Sequence, residues 1–130
     1  LEREGHPVDR LHGDMSQKDR VDSLEGFRSG QHRILVATDL AGRGLDVQGI
    51  EHIVNYDLPA SADDYIHRAG RTARGAAEGL VSSIATWLEK PLVLEIEGAL
   101  GEKIPRCTLP GVEPYVEIKT KTSARRRRFL

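Results

Sequence analysis

The fold is decided by residues 34–46, which read ILVATDLAGRGLD. An apolar run, Ile34 to Ala37, precedes a polar pair and a segment that contains Gly42 and Gly44. A continuous apolar run bounded by turn signals is typical of a strand that is buried in a parallel sheet. The segment therefore predicts a buried strand over residues 33–38 that leads into a glycine-bearing turn.

Strand and helix patterns alternate on both sides of this segment. Further strands are predicted at 8–11, 50–56 and 80–85, and helices at the start of the chain, from Ser16 to near Gly30, from Ser61 toward Arg71 and at 92–100. Ser16 and Ser61 are each followed three residues later by an aspartate, as in a helix N-cap. The alternation predicts an α/β fold with a mainly parallel sheet. Four aromatic residues are assigned to packing: Phe27, Tyr56, Tyr65 and Trp87.

A second stretch, HRAGRTARG at 67–75, carries arginines at intervals of three residues. Arg68, Arg71 and Arg74 can share one face of a helical turn at this spacing. Close guanidinium groups make a poor core, but they suit a polyphosphate that they grip bidentately. Taken alone, the stretch is equally compatible with a solvated basic helix face.

Together the two stretches resemble motifs V and VI of the DEAD-box RNA helicases. Motif V is matched by Thr38-Asp39-x-Ala41-x-Arg43-Gly44-x-Asp46 and motif VI by His67-Arg68-x-Gly70-Arg71-Thr72-x-Arg74. NYDLP at 55–59 and DYIH at 64–67 also resemble the family, and the similarity extends to about Gly111. The resemblance implies the C-terminal RecA-like domain of a bacterial-type member, a three-layer α/β/α sandwich. The first strand of that domain, with motif IV, is expected to precede Leu1.

Two residues depart from the family pattern. Gly42 replaces the commoner small residue of motif V, and Ala73 stands where motif VI usually has glycine. Alanine at position 73 is expected to restrict the turn before Arg74 slightly, but neither change removes a functional side chain.

The resemblance implies that motif VI serves ATP. In the family, the arginines that match Arg71 and Arg74 reach across an interdomain cleft to the γ-phosphate, and the histidine that matches His67 bonds across the same cleft. Phosphoryl transfer spreads negative charge over the equatorial oxygens, and an inserted guanidinium stabilises that charge.

An internal role is the alternative for these arginines. Each can instead form a salt bridge with an aspartate of the same domain, and the candidates are Asp39, Asp46 and Asp64. This alternative has more weight for Arg68 than for the two other arginines.

Motif V is implied to serve both ligands. Asp46 resembles the acid that contacts the ATP ribose hydroxyls, and Gly44 lies beside it. Thr38 and the turn of Gly42, Arg43 and Gly44 would face the RNA backbone, because hydroxyl and backbone N–H groups donate to phosphate and glycine permits close approach. The alternative is a plain strand-to-loop turn in which Asp46 is a cap.

A third implied contact lies at the start of the helix after Ser16. Gln17-x-x-Arg20 resembles motif IVa of the family, which holds the RNA sugar–phosphate backbone, and Gly13 precedes it. The first turn of a helix favours anions. The alternative is a solvated turn in which Arg20 pairs with an acid. All these contacts are to backbone, so RNA binding is expected to be independent of sequence and sensitive to salt.

Composition limits the other possibilities. The 130 residues suffice for one domain, and the net charge of −1 conceals a basic segment at 119–128. We therefore expect a helicase domain at 1–118 and a disordered basic tail at 119–130. Cys107 is the one cysteine, which favours a reducing, cytoplasmic setting. No apolar run approaches a membrane span, and the histidines lack metal-ligand spacing, so neither a membrane nor a metal site is expected.

The sequence contains no phosphate-loop motif and no acidic box. ATP and its Mg²⁺ would therefore be bound mainly by an N-terminal RecA-like domain of the same protein, and this chain alone should be inactive. The predicted function is the C-terminal lobe of an ATP-dependent RNA helicase that unwinds RNA duplexes locally. Two rival interpretations remain: a solitary RNA- or protein-binding module without catalysis, and a lobe of a DNA-directed helicase from the same superfamily.

Overall fold

The computed structural model describes residues 1–42, 47, 50–72, 79–107 and 110–111. The chain divides into two compact units between Ile84 and Ala85. In the first unit, a short 3-10 helix at Glu2–Glu4 is followed by β1 (Val8–Leu11), α1 (Gln17–Arg28), β2 (Ile34–Ala37), α2 (Asp39–Gly42), β3 (His52–Asn55), α3 (Ala62–Ala69) and β4 (Leu80–Ser83). The second unit contains a 3-10 helix at Trp87–Glu89 and α4 (Lys90–Leu100).

The described strands form two parallel pairs. In one pair Val8 lies opposite Ile34 and Leu11 lies opposite Ala37. In the other, β3 pairs with β4 from His52↔Leu80 to Asn55↔Ser83. The prediction of parallel strands that alternate with helices is confirmed. In each pair the carboxyl ends of the strands meet at one edge, which is where α/β proteins place their ligands.

Both predicted N-caps are present. The Ser16 hydroxyl accepts from the Asp19 N–H at 3.1 Å and begins α1. The Ser61 hydroxyl accepts from the Asp64 N–H at 3.2 Å and begins α3. Accepting these bonds satisfies an N–H that the first helical turn would otherwise leave unpaired, and each hydroxyl also donates to the carboxylate of the same aspartate.

The strand after Arg33 is less buried than predicted. Val36 is 53% exposed, whereas buried apolar side chains of the first unit come from other positions: Leu11, Ala41, Val47, Ala62 and Tyr65. A two-stranded sheet buries few side chains on both of its faces, because so few neighbouring strands are there to receive them. The prediction of a buried strand is therefore wrong, since Ile34 and Leu35 are only half-buried and Val36 and Ala37 are exposed.

Two of the four aromatic assignments are also wrong. Tyr56 is 78% exposed, because it follows Asn55, the last residue of β3, and lies beyond the strand pairing. Trp87 is 61% exposed at the start of its 3-10 helix. Tyr65 is buried as predicted, and Phe27 is half-buried.

The segment after β2 begins with a short helix, where the sequence predicted a turn. Asp39 to Gly42 form α2, with the acidic residue in the first turn, where it complements the helix dipole. Ala41 of this helix is fully buried. Gly42 therefore belongs to a helix and not to the predicted turn, and the rest of that turn, residues 43–46, lies outside the described residues.

In the second unit, α4 begins with Pro91 in its first turn, as predicted, and ends at Gly101. Ile96 is its buried residue. Glu97 accepts from the Ile104 N–H at 3.0 Å and from Arg106 Nη2 at 2.8 Å, which ties the segment after the helix back to it. Among the described residues, no helix is long and apolar enough to cross a lipid bilayer.

Gly79 is required by the residue that it packs against. Thr72 is buried after α3, and its hydroxyl donates to the Ile50 carbonyl. A Cβ atom at Gly79 would lie 2.6 Å from Thr72 Cγ2. Gly79→Ala should therefore destabilise the domain by about 2 kcal/mol in urea unfolding, the typical cost of overpacking.

The matched control is Gly98→Ala in α4, where an added Cβ meets nothing within 4 Å. That change should stabilise the helix by about 0.5–1 kcal/mol. Equal effects of the two substitutions would contradict the packing of Thr72 against Gly79.

Candidate functional site

The carboxyl edge of β1 and β2 brings together three of the predicted RNA contacts. Thr38 is exposed, and its N–H donates to the Leu11 carbonyl at 3.1 Å, so it stands beside the end of β1. Gly13 lies in the loop after β1, where an added Cβ would be 3.7 Å from Leu40 Cδ2 of α2. Gly42 is the last residue of that same helix. The loop after β1 and the residues after β2 therefore share one exposed surface.

The first turn of α1 carries two further predicted RNA contacts, and the sixth, Arg43, lies outside the described residues. Gln17 is exposed and Arg20 is half-buried. Within the described part of the chain, no carboxylate lies at ion-pair distance from Arg20, so the alternative of a paired arginine gains no support there. A helix N-terminus with an arginine in its first turn is suited to an anionic backbone.

A serine–aspartate contact anchors α1 on β1. Ser23 is buried, and its hydroxyl donates to Asp9 Oδ2 at 2.6 Å, while the Arg10 N–H donates to Asp9 Oδ1 at 2.8 Å. His32 Nε2 lies 3.6 Å from Asp9 Oδ2. The Ser23 hydroxyl and then the Arg10 N–H lower the pKa of Asp9, and burial opposes them.

This anchor makes stability depend on pH in the acid range. Because the pKa of Asp9 is lowered by folding, its contribution is present above the ordinary aspartate value and is lost as the pH falls through the lowered pKa. Ser23→Ala should raise the pKa of Asp9 toward that ordinary value, measured by NMR titration. The loss of unfolding free energy should be largest at neutral pH, about 1 kcal/mol, and should shrink below about pH 4. A loss that is the same at every pH would contradict this role.

Arg68 is held by an extended network. Its Nε and Nη2 donate to the two carboxylate oxygens of Asp39 at 2.8 and 2.7 Å. Its Nη1 donates to Asn55 Oδ1 at 2.8 Å and to the Asp57 carbonyl at 2.9 Å. The internal salt bridge that the sequence left open is therefore present for Arg68. Of the two interpretations of Arg68, the structure shows the internal contact with Asp39, and a shared phosphate-binding face with Arg71 and Arg74 stays a prediction.

Asn55 is a site residue that the sequence reasoning missed. The residue is 2% exposed, and its Nδ2 donates to Ser83 Oγ at 3.0 Å. Arginine has no acceptor, so the Asn55 atom that faces Arg68 must be the amide oxygen. The available signal was a lone amide residue at the end of an apolar strand, immediately before Tyr56.

The described part of motif VI, residues 67–72, lies at the end of α3 and directly after it. His67 is exposed in the last turn of the helix. Arg71 follows in a turn, half-buried, and its N–H donates to the Arg68 carbonyl at 3.0 Å. The turn brings Arg71 next to the residue that binds Asp39. Four predicted site residues lie outside the described residues, and their roles stay predictions: Arg43, Gly44, Asp46 and Arg74.

Comparison with known proteins shows which family shares the sequence and the fold of this chain. The family described as helicase conserved C-terminal domain matches residues 1–76. The structure is similar to that of the E. coli DEAD-box protein SrmB bound to regulator of ribonuclease activity A, with a TM-score of 0.80 and 31% identity over 90% of this chain and 71% of that one. It is also similar to the C-terminal domain of the DEAD-box protein Dbp5, with a TM-score of 0.71 and 34% identity over 78% of this chain and 60% of that one.

Two similar curated proteins are both named as ATP-dependent RNA helicases. The chain is 40% identical over 121 residues to the ATP-dependent RNA helicase DbpA of Bacillus subtilis, covering 93% of this chain and 25% of that protein. It is 46% identical over 110 residues to the ATP-dependent RNA helicase RhlB of Pseudomonas syringae pv. tomato, covering 85% of this chain and 28% of that protein. The chain belongs to the helicase conserved C-terminal domain family, as a RecA-like C-terminal domain of the DEAD-box type. It spans about a quarter of the length of these relatives.

Proposed function

We propose that this domain is the C-terminal lobe of an ATP-dependent RNA helicase, in which it contributes arginine fingers to ATP hydrolysis and backbone contacts to RNA. The observation that supports this most strongly is the carboxyl edge of β1 and β2, where Gly13 and Thr38 share an exposed surface beside α2. The relatives named as ATP-dependent RNA helicases support the same assignment.

The RNA side of the proposal uses short polar groups and a helix start. Thr38 supplies a hydroxyl, and glycine lets the backbone at Gly13 and at residues 42–44 approach a phosphate closely. Gln17 and Arg20 would hold the sugar–phosphate backbone from the first turn of α1. None of these groups reads a base edge, so the binding is independent of sequence.

The ATP side uses motif VI and the end of motif V. Arg71 and Arg74 are the proposed fingers, His67 binds the facing lobe, and Asp46 with Gly44 receives the ribose. The donor chemistry fits, since guanidinium groups match phosphate oxygens and a carboxylate matches two hydroxyls. ATP supplies the phosphoryl group, and its Mg²⁺ would be held mainly by an N-terminal RecA-like lobe of the same protein. The residues of this chain bind, orient and neutralise charge.

Closure of the two lobes would couple RNA binding to ATP hydrolysis. When both lobes engage RNA and nucleotide, the fingers reach the phosphate only in the closed state, so turnover depends on RNA. Contacts confined to one strand's backbone would bend that strand at the lobe interface and separate a short duplex locally. Residues 1–118 would carry out these roles, with the basic segment 119–130 as a tail.

Arg20 tests the RNA side. Arg20→Ala should weaken the binding of single-stranded RNA about tenfold at low salt and reduce the slope of log affinity against log salt by about one. Arg28→Ala, at the opposite end of α1, is the matched control and should change the slope little. Affinity losses that differ among RNA sequences would contradict a backbone contact.

The function itself is tested by unwinding. The full-length protein should separate a short RNA duplex when ATP is present and should fail to do so with a non-hydrolysable analogue in multiple turnovers. RNA binding without ATP-dependent unwinding would instead favour the solitary binding module.

A further inference from the structure

The network around Arg68 joins the two halves of the proposed site. At one end, Asp39 directly follows Thr38, the proposed RNA contact, and begins α2. At the other end, the carbonyl of Arg68 accepts from the N–H of Arg71, the proposed finger. Resting on the function proposed above, we propose that Asn55 is a positioning residue that sets the orientation of the Arg68 guanidinium, and through it the placement of Thr38 relative to Arg71.

The burial of Asn55 supports an orienting role. Its amide is almost wholly removed from water, with Nδ2 bonded to Ser83 on β4 and Oδ1 bonded to Arg68. The β3–β4 pairing is made by backbone groups and does not require an amide side chain at this position. The free-energy cost of removing an amide from water this completely is offset only where both its oxygen and its nitrogen form hydrogen bonds. Ser83 of β4 holds Nδ2 of Asn55, and Oδ1 of Asn55 in turn holds the guanidinium of Arg68.

The exposure of the ion pair supports the same conclusion. The side chain of Asp39 is 52% exposed and that of Arg68 is 24% exposed. An ion pair so accessible to water contributes little to folding. Its bidentate geometry does, however, fix the relative position of the two groups. The ion pair therefore contributes more to the relative position of Asp39 and Arg68 than to the free energy of folding. A fixed position is what an arginine finger requires.

Two substitutions of Asn55 separate orientation from packing. Asn55→Leu keeps the branched four-atom shape of the side chain, although leucine is larger, and removes one of the two acceptors of Arg68 Nη1, leaving the Asp57 carbonyl. Asn55→Asp keeps an oxygen toward Arg68 and another that can accept from the Ser83 hydroxyl. Ser82→Ala, one residue from Ser83 and bonded to the exposed His52, is the matched control on the same strand.

The experiment measures RNA-stimulated ATP turnover of the full-length protein at saturating ATP and RNA, well below the unfolding midpoint of each variant. Asn55→Leu should lower kcat about tenfold, as expected for a misplaced catalytic group, while the KM for ATP changes less. Asn55→Asp should retain most of the turnover, and Ser82→Ala all of it. Unchanged kcat in Asn55→Leu, or equal losses in Asn55→Leu and Asn55→Asp, would overturn the proposal.

A second measurement keeps the two proposals apart. If the wild-type protein shows no RNA-stimulated turnover, the proposed function fails, and NMR of this chain then decides whether Asn55 orients Arg68. The Arg68 Nε–H should exchange with solvent about tenfold faster in Asn55→Leu than in wild type, and near the wild-type rate in Asn55→Asp. Equal exchange in all three proteins would overturn the positioning role.

Discussion

Replacing Arg71 with alanine in the full-length protein should lower RNA-stimulated ATP turnover by about 10³-fold, the loss typical of a removed arginine finger. The reason is that the guanidinium neutralises charge that develops on the transferred phosphoryl group, a stabilisation made only in the transition state. RNA affinity should change little, because Arg71 follows α3, whereas the proposed RNA contacts lie in the loop after β1, in α1 and in the segment after β2. Turnover and RNA binding are measured on the same preparation.

Arg33→Ala is the control for this change. Arg33 is exposed, and its N–H donates to the Pro7 carbonyl at the amino end of the β1–β2 pair, away from the carboxyl edge. Its loss should leave turnover within about threefold of wild type. Arg74→Ala is expected to resemble Arg71→Ala. Turnover of Arg71→Ala close to wild type would remove the finger assignment.

Replacing Arg68 with alanine should destabilise the domain by about 2–3 kcal/mol in urea unfolding, the second-largest effect that we expect. Most of the loss arises at Asn55, whose buried amide oxygen is left without its donor. The exposed carboxylate of Asp39 regains water and contributes less. Turnover should fall as well, because the link between Thr38 and Arg71 is broken.

Two comparisons identify the origin of that loss. Asp39→Asn should cost less than about 1 kcal/mol, since it removes an exposed ion pair and leaves Asn55 bonded to Arg68. Arg68→Lys should remain destabilised by about 1–2 kcal/mol, because one ammonium cannot replace a fork that bonds Asp39, Asn55 and Asp57 together. A larger loss in Asp39→Asn than in Arg68→Ala would contradict the account.

The elements that local chemistry specifies were predictable from the sequence. Ser16 and Ser61 mark the starts of α1 and α3, because a hydroxyl three residues before an aspartate satisfies donors within the same turn. The strands at 8–11 and after Arg33 were visible as short runs between turn signals. Motifs V and VI, and with them the family, could be read from residue order alone.

The features that were not predictable from the sequence depend on contacts between residues far apart in the chain or on the extent of the sheet. Arg68 and Asp39 are 29 residues apart, and nothing in the local pattern says which of three aspartates an arginine reaches. Burial of Val36 was overestimated because periodicity does not show how many strands flank a strand, and burial of Tyr56 because periodicity does not show where strand pairing ends. The role of Asn55 likewise depends on Ser83 in another strand.

The central claim is that this domain serves an RNA-dependent ATPase, and the most direct test compares nucleic acids as activators. ATP hydrolysis by the full-length protein is measured without nucleic acid, with single-stranded RNA, and with DNA of the same sequence. The account predicts stimulation by RNA that exceeds stimulation by DNA by about tenfold or more, since the 2′-hydroxyl allows a protein to distinguish the two. Equal stimulation by both would favour the DNA-directed alternative, and no stimulation by RNA would contradict the account.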